Sequence, residues 1–437
     1  MATREMALSK GQENKWQKGD REQLAVVAFS HAIQHSYIGV LGIVYPFALV
    51  SFHSSYAVLG GILGVAGVLG GLLQGTAVLV KRISSRVLLG GQNLGMALVS
   101  VLGAISPGIA VFGAVRVLGN LVSWPQHPVG AAHLVERMPN RRGFALAVHT
   151  TGGNIGTLLA PLAAAAVITA FSWRWALAGA GIVMALCSVV TWTRVKAPPV
   201  VPATPDTERT LPDSLPDSAN ARAGMHSEEP VPVAAPVSLR QALRRRKAIA
   251  VLIAGAVSGA GRGVGVLTTF IPAYLRIGLH QPALTVGAIT AVVATGAVFG
   301  PVLGGHISDR LGRSFVLYIL YGLGACALVG FVLVGNDLLA LGFIGLAVGV
   351  FSYSEQPLRQ ALFSDSMQGV SPRQAFGAYF AISQSIGAVW ITILGVLVTT
   401  SGFRATFLTM AGSFIVAGSI IFFGCHRETA PPVAVGS

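Results

Sequence analysis

Long apolar runs separated by short polar segments fill most of this chain. A bilayer core about 30 Å thick needs roughly twenty apolar residues for each helical crossing, and two sets of six such runs are present. The first six cover residues 24–50, 56–80, 87–106, 109–134, 144–170 and 174–195; the second six cover 248–275, 282–307, 314–334, 337–362, 373–399 and 403–425. The pattern predicts an all-α membrane protein with twelve transmembrane helices, of which those rich in glycine or proline are candidates for kinks or breaks.

The segment between the two sets has a different composition. Residues 197–247 begin with APPVVPATPDTERTLPDSLPDS and end with the basic LRRRK, which is typical of a disordered, proline-rich linker with a basic end near the membrane. We therefore predict a tail at 1–23, a six-helix bundle at 24–196, the linker at 197–247, a second six-helix bundle at 248–425 and a tail at 426–437.

The two predicted bundles repeat each other. The segment SWPQHPVGAAHLVERM, from Ser123, aligns without a gap with SYSEQPLRQALFSDSM, from Ser352, so that Pro128 pairs with Pro357. The fourth run therefore corresponds to the tenth, and the bundles are predicted to be pseudo-symmetric. Repeated membrane bundles place a substrate site near the midplane between them, because rocking one half against the other exposes that site to each side in turn.

Composition and charge support membrane insertion and suggest an orientation. The chain is 53% hydrophobic and 11% charged, and its formal net charge is +14. About 25 of the 30 lysine and arginine residues lie in segments that an even number of crossings puts on one face, whereas Arg174, Arg276 and Arg404 lie on the other. By the positive-inside rule the basic face is cytoplasmic. This predicts a bacterial inner-membrane protein with both termini in the cytoplasm and no nucleic-acid partner.

The sequence offers no pattern typical of an enzyme, a metal site or a disulfide framework. Cys187, Cys326 and Cys425 are far apart and lie within apolar runs, as small hydrophobic residues do. The chain has no nucleotide-binding glycine loop, no Gly-x-Ser-x-Gly and no metal-ligand spacing of histidine and glutamate. We therefore predict that the protein is not an enzyme, has no cofactor and no metal, and takes its energy from a proton gradient.

Polar residues inside the apolar runs are the candidates for a solute site, because a charge at the bilayer centre costs at least about 2.5–3.5 kcal/mol. Two deep arginines against one glutamate favour an anionic solute, such as a carboxylate or phosphonate. The alternative is that these arginines are internal clamps paired with hydroxyl or carbonyl groups. The predicted substrate contacts are Arg116, Asn120 and His127 in the fourth run, Gln34 and His35 in the first, and Arg262 in the seventh.

Three residues are candidates for proton coupling. His31 and His35 share a face of the first run, and histidine changes its charge near neutral pH. Glu355, in the tenth run, is the second choice. The alternatives are that the histidines are helix-packing residues and that Glu355 pairs locally with Arg359, four residues further along the helix.

The most specific motif is GGHISDRLGR at residues 304–313, between the eighth and ninth runs. It resembles the loop signature of the major facilitator superfamily, which is glycine, three residues, then Asp-Arg-x-Gly-Arg. The resemblance implies a charge clamp that holds one conformation and breaks in the other; the alternative is simple anchoring by positive charge. The predicted gate residues are Gly305, Asp309, Arg310, Gly312 and Arg313.

Within that superfamily the chain is most similar to the fosmidomycin-resistance type of bacterial exporter, over nearly all of both halves. The segments that carry this similarity are SHAIQHSYIGVLGIVYPF, QHP at 126–128, GGNIG at 152–156, TTFIPAYL at 268–275 and FGAYFAI at 376–382. An approximate antiporter motif adds Gly156 and Pro161 in the fifth run, for which the alternative is ordinary tight packing. The family resemblance implies two six-helix bundles in the major facilitator fold and a monomer.

The sequence therefore predicts a secondary transporter that exports a small toxic or anionic compound in exchange for protons. One alternative is a proton-coupled uptake symporter for an organic anion. The other is a non-transporting membrane sensor or scaffold on the same fold, which the first-half loop GTAVLVKRISSR favours because it lacks the aspartate of the second-half motif.

Overall fold

The computed structural model describes residues 19–74, 83–138, 141–196, 238–263, 265–370 and 372–425. Regular secondary structure in these ranges is helical. The first half contains α1 (Asp20–Ser51), α2 (Tyr56–Gln74), α3 (Ser85–Ala104), α4 (Ile109–Val122), α5 (Gln126–Arg137), α6 (Arg142–Ala170) and α7 (Trp173–Arg194). The second half contains α8 (Leu239–Leu243), α9 (Arg246–Arg262), α10 (Val266–Ala273), α11 (Ala283–Leu311), α12 (Arg313–Leu333), α13 (Leu338–Ser366) and α14 (Pro372–Cys425).

The described helices account for the twelve predicted crossings. Ten helical stretches are long and apolar enough to span a membrane. One of them, residues 385–425, makes two crossings because the chain leaves the helical conformation at Gly402, where φ is +78°. The one remaining crossing is the fourth along the chain. It is divided into α4 and α5, each of which is too short to span the membrane alone. The prediction of an all-α, twelve-helix membrane protein is confirmed.

The fourth and seventh predicted spans are both broken rather than continuous. The fourth breaks at Ser123 and Pro125, since a proline inside a helix removes a hydrogen bond and clashes with the preceding turn. The seventh ends as α9 at Arg262 and resumes as α10 after Gly265, whose φ of +81° strongly favours glycine. Each half therefore has one predicted span that is interrupted.

Helical structure begins earlier than predicted at two places, the end of the N-terminal tail and the end of the linker. Helix α1 begins at Asp20, inside the predicted tail, where the Asp20 carboxylate lies 3.2 Å from Nε of Arg137. The last part of the predicted linker is helical: Ser238 and Gln241 cap α8 reciprocally, and α9 begins at Arg246. A capping box satisfies two backbone N–H groups at once, so the linker prediction is wrong for these final residues. The other residues of the linker and tails lie outside the described ranges.

The two halves are packed together near the face opposite the basic segments, which we call the far face. Gly60 of α2 lies against the backbone of α14 near Ile391, and Gly287 of α11 lies against Pro161 of α6. Arg276 stacks on the ring of Phe47 at the same level, 4.8 Å from its centroid. Among the described residues α5 and α13 make little or no contact with each other. The molecule is therefore closed at the far face and open towards the basic face.

Candidate functional site

A cavity lies between the halves, below the contacts that close the far face. It is lined from the first half by Gly39, Thr157 and Pro161, and from the second by Leu267, Thr268, Ile271, Thr290, Val293, Ala294 and Tyr353. Most of this lining is apolar, with threonine and tyrosine hydroxyls as its polar groups. The space is small in this conformation, and its lining combines apolar walls from both halves with a few hydroxyl groups, a composition that suits an amphipathic group.

Arg262 stands beside this cavity at the end of α9. Its guanidinium carbon lies 4.4 Å from the ring centroid of Tyr353, which lines the cavity. The side chain is half-buried, and its Nε has no hydrogen-bond partner. Among the described residues no carboxylate lies within 4.0 Å of it. The arrangement leaves a cation without a counter-ion at the break in the seventh span, and such a group can receive an anion.

Arg116, the other deep arginine, is held inside the first half. It is 6% exposed, and its Nη1 donates to the Tyr37 hydroxyl at 2.7 Å. The amide of Asn120, one turn later, donates to the Arg116 carbonyl at 3.3 Å. These contacts match the clamp alternative and join α4 to α1. The structure does not bring the two arginines onto a common partner, so the substrate roles of Arg116 and Asn120 stay predictions.

The predicted histidines form a single cluster. The His31 ring lies 4.5 Å from that of His35 and 5.0 Å from that of His127, and the His35 and His127 centroids are 5.6 Å apart. His149 of α6, which the sequence did not indicate, stacks on His31 at 4.0 Å. Gln34 donates a hydrogen bond to the Ser123 carbonyl at 3.1 Å, at the break between α4 and α5.

Glu355 is committed to partners within the second half. It is 1% exposed, its carboxylate lies 3.2 Å from Nε of Arg359, and it accepts a hydrogen bond from the Tyr321 hydroxyl at 3.0 Å. Tyr321 in turn lies 3.3 Å from the hydroxyl of Ser258 on α9. The local pairing alternative is therefore realised, and the role of Glu355 in proton coupling stays a prediction.

The motif covers the end of α11, Gly312 and the first residue of α12, and its Arg313 forms an ion pair with a neighbouring helix. Arg313 lies 2.7 Å from Asp365 at the end of α13, with both side chains partly exposed. Gly312 separates the two helices with a φ of +89°, a conformation that side chains with a Cβ rarely adopt. Asp309 and Arg310 are exposed, and open space surrounds Gly305. The clamp joins helices of the same half, and a gating role for these residues stays a prediction.

Gly156 and Pro161 occupy packing positions on α6. Gly156 lies directly on the carbonyl of Ala32 and 3.0 Å, measured from an ideal Cβ, from the hydroxyl of Ser36. Pro161 lines the cavity and faces Gly287 across the boundary between the halves. One side of α6 thus packs on α1 while the other contacts the second half. Small residues permit this close approach of helix backbones.

One buried polar network escaped the sequence analysis. Asn93 of α3 donates to the hydroxyls of Ser30 at 3.0 Å and Thr191 at 3.1 Å, and Gln126 accepts from Ser30 at 3.1 Å and from Gln92 at 3.2 Å. These residues come from α1, α3, α5 and α7. No single helix carries enough of them to form a visible stripe, so only the tertiary structure reveals the network.

Comparison with known proteins defines the family. The sequence matches the Major Facilitator Superfamily over residues 26–393. It is 25% identical over 340 residues to the multidrug resistance protein MdtG of Yersinia enterocolitica. This alignment covers 76% of this chain and 74% of that protein. MdtG of Escherichia coli is 24% identical over 362 residues, covering 82% of this chain and 81% of the relative.

Solved structures share the same fold. A bacterial homologue of the human lysosomal transporter Spinster, in an inward-facing and unoccupied conformation, aligns with a TM-score of 0.70 and 13% identity, covering 95% of this chain and 100% of that one. The nucleoside transporter NupG aligns with a TM-score of 0.70 and 14% identity, covering 94% and 100%. With a family match over most of its length and described helices that account for twelve membrane crossings in two halves, this chain belongs to the major facilitator superfamily and is a multi-pass membrane transporter, not an enzyme.

Proposed function

We propose that this transporter exports a small anionic organic compound by alternating access, in exchange for protons. The observation that carries the proposal is Arg262, a cation stacked on Tyr353 beside the cavity with no acidic partner among the described residues. An arginine fork binds carboxylate and phosphonate groups through two parallel hydrogen bonds. An apolar cavity wall beside it would hold the remainder of an amphipathic anion.

Export is favoured over uptake by the relatives and by the sequence. The MdtG proteins are named for multidrug resistance, and the segments similar to the fosmidomycin-resistance type point to the same direction. With the basic face in the cytoplasm of a bacterium, the open cavity would receive its solute from inside the cell. We propose an inner-membrane location, both termini cytoplasmic, and a functional monomer.

A proton gradient supplies enough energy for this task. One proton moving down one pH unit releases about 1.4 kcal/mol, and 100 mV adds about 2.3 kcal/mol. Together these would sustain a solute gradient of a few hundredfold. The specific coupling roles of His31, His35 and Glu355 stay predictions.

The proposal is tested with the full chain in liposomes that contain a pH-sensitive dye. Anionic antibiotics and small organic acids are added in turn, and internal pH is followed. We expect proton movement opposite to the solute for the wild type. For Arg262→Ala we expect the rate of solute-dependent proton movement to fall about 10- to 100-fold, because a charge-assisted hydrogen bond contributes roughly 1.5–3 kcal/mol to binding.

Arg404→Ala is the matched control, because it removes an exposed arginine at the far face. It should transport at the wild-type rate. Proton movement in the same direction as the solute would instead indicate an uptake symporter. If no anion changed the internal pH but cationic or neutral drugs did, the anionic assignment would be refuted. If none of these compounds changed it, the result would favour the non-transporting alternative.

A further inference from the structure

Three histidines with no assigned metal role lie together where α1 meets α5. His31 and His35 are one turn apart on α1, and His127 is the second residue of α5. One ring nitrogen from each can be chosen such that all three atoms lie within 4.8 Å of one another. His31 is 4% exposed, His35 is half-buried and His127 is exposed, so the cluster runs from the protein interior to an accessible surface.

The hydrogen bonds of His31 fix the state of its ring. Its Nδ1 lies 2.7 Å from the backbone carbonyl of His149. A carbonyl oxygen only accepts, so Nδ1 carries the hydrogen and Nε2 of the neutral ring carries a lone pair. That Nε2 is buried and has no hydrogen-bond partner. Stacking on His149 accounts for the position of the ring but leaves this nitrogen unused.

His35 repeats the pattern through a hydroxyl. Its Nδ1 lies 3.2 Å from Oγ1 of Thr157, and the Thr157 hydroxyl donates its own hydrogen to the Gly153 carbonyl at 3.2 Å. With that hydrogen occupied, Thr157 accepts from His35, and the lone pair of His35 is again on Nε2. This nitrogen is also buried without a partner. Two rings whose centroids are 4.5 Å apart therefore each present an imidazole lone pair without a partner.

We propose that His31, His35 and His127 bind one divalent transition-metal ion of the Zn²⁺ type. Histidines that bind metals almost always donate their other ring N–H to a carbonyl, carboxylate or water. His31 donates to a carbonyl in this way, and His35 is oriented similarly by a threonine hydroxyl. Nitrogen ligands without a carboxylate select transition metals over Mg²⁺ and Ca²⁺. The sequence-based expectation of no metal site missed this cluster because its third ligand comes from a different helix.

The geometry requires a small closure. Zn–N bonds of about 2.0–2.1 Å in a tetrahedral site place two nitrogens roughly 3.4 Å apart. A rotation of the exposed His127 side chain towards the two α1 rings would supply the difference. Three protein ligands leave a fourth position for water or for an oxygen or sulfur donor of a solute. The metal site goes beyond the proposed anion export and does not depend on it.

The test uses the purified full chain in detergent, with any polyhistidine tag removed. Zn²⁺ binding is measured by calorimetry, and the visible spectrum of added Co²⁺ reports whether the ion is bound in a tetrahedral nitrogen site. We expect one ion per chain, with binding at least ten times weaker in His35→Asn and in His127→Asn. His306→Asn, which removes an exposed histidine of α11, should bind like the wild type.

His127→Asn is the decisive variant, because it replaces an exposed side chain and should leave thermal unfolding unchanged. If this stable variant retains wild-type Zn²⁺ affinity and the same Co²⁺ spectrum, the proposed site is wrong. Binding that is weak, of several ions per chain, or equally reduced in His306→Asn would overturn the proposal too. These measurements need no solute or gradient, so their outcome is separate from that of the transport experiment.

Discussion

Gly60→Leu is expected to abolish transport by preventing closure of the far face. An ideal Cβ on Gly60 would lie 2.8 Å from the carbonyl of Ile391 and 3.2 Å from Cα of Gly395, and backbone atoms cannot move aside as a flexible side chain can. Overpacking costs about 1–3 kcal/mol in ordinary cores, and about 3 kcal/mol changes the ratio of the two conformations by more than a hundredfold. The variant should therefore populate the conformation open to the far face.

The measurement is the labelling of a cysteine placed at Ala294, which lines the cavity, in a chain whose three native cysteines are replaced. An impermeant maleimide applied from the far face should label Gly60→Leu at least ten times faster than the parent. Gly61→Leu is the matched control, because open space surrounds Gly61 on the same helix. Normal transport by Gly60→Leu, with no labelling from the far face, would show that the glycine contact does not close the cavity.

Much of the fold could be predicted because the bilayer imposes a length on each apolar run. The predicted run 56–80 and helix α2 (Tyr56–Gln74) begin at the same residue, since both reflect how much apolar chain crosses the membrane. Breaks were less predictable. Pro125 gives a local reason for the division of the fourth span, whereas Gly265 is one of 54 glycines and the sequence pattern does not distinguish it as one with a positive φ.

The linker boundary shows a local signal that the composition concealed. The composition predicts a disordered linker up to residue 247, because proline and charge dominate the segment. Ser238 and Gln241 nevertheless have the spacing of a capping box, which favours a helix start. A helix of five residues contributes little apolar surface, so an interpretation based on apolar runs did not reveal it.

The site was predictable helix by helix but not as an arrangement. Helical spacing indicated that His31 and His35 share a face, and the structure places their rings 4.5 Å apart. Helical spacing could not indicate that the carbonyl of His149, 118 residues further along, orients His31. Nor could it indicate that Arg116 donates a hydrogen bond to Tyr37, 79 residues away. Contacts across such separations depend on which helices become neighbours, and periodicity within one helix carries no information on that.

Glu355→Leu is expected to destabilise the protein severely, because it would leave the Arg359 guanidinium charged and unpaired in the interior. Arg359 is 7% exposed, and beyond its contacts with Glu355 it packs against Gly255 and the ring of Tyr379. Removing one partner of a buried ion pair costs about 3–5 kcal/mol. The expected result is loss of monodisperse protein at a much lower temperature than for the wild type, measured by size exclusion after heating.

A second ion pair shows whether the loss of stability comes from an unpaired buried charge or from the loss of any ion pair. Asp365→Asn breaks the partly exposed pair with Arg313, and since such pairs contribute about 0–1 kcal/mol, its unfolding temperature should change little. Glu355→Leu combined with Arg359→Met removes both buried charges, and because apolar replacements of buried pairs are often neutral or stabilising, stability should largely return. Equal losses of unfolding temperature in the single and double variants would show that the lost contact with Tyr321 or a change of shape, rather than the unpaired charge, controls stability.

A stable double variant also tests the predicted role of Glu355 in proton coupling. If that variant still exchanges protons for solute, Glu355 is not the proton carrier.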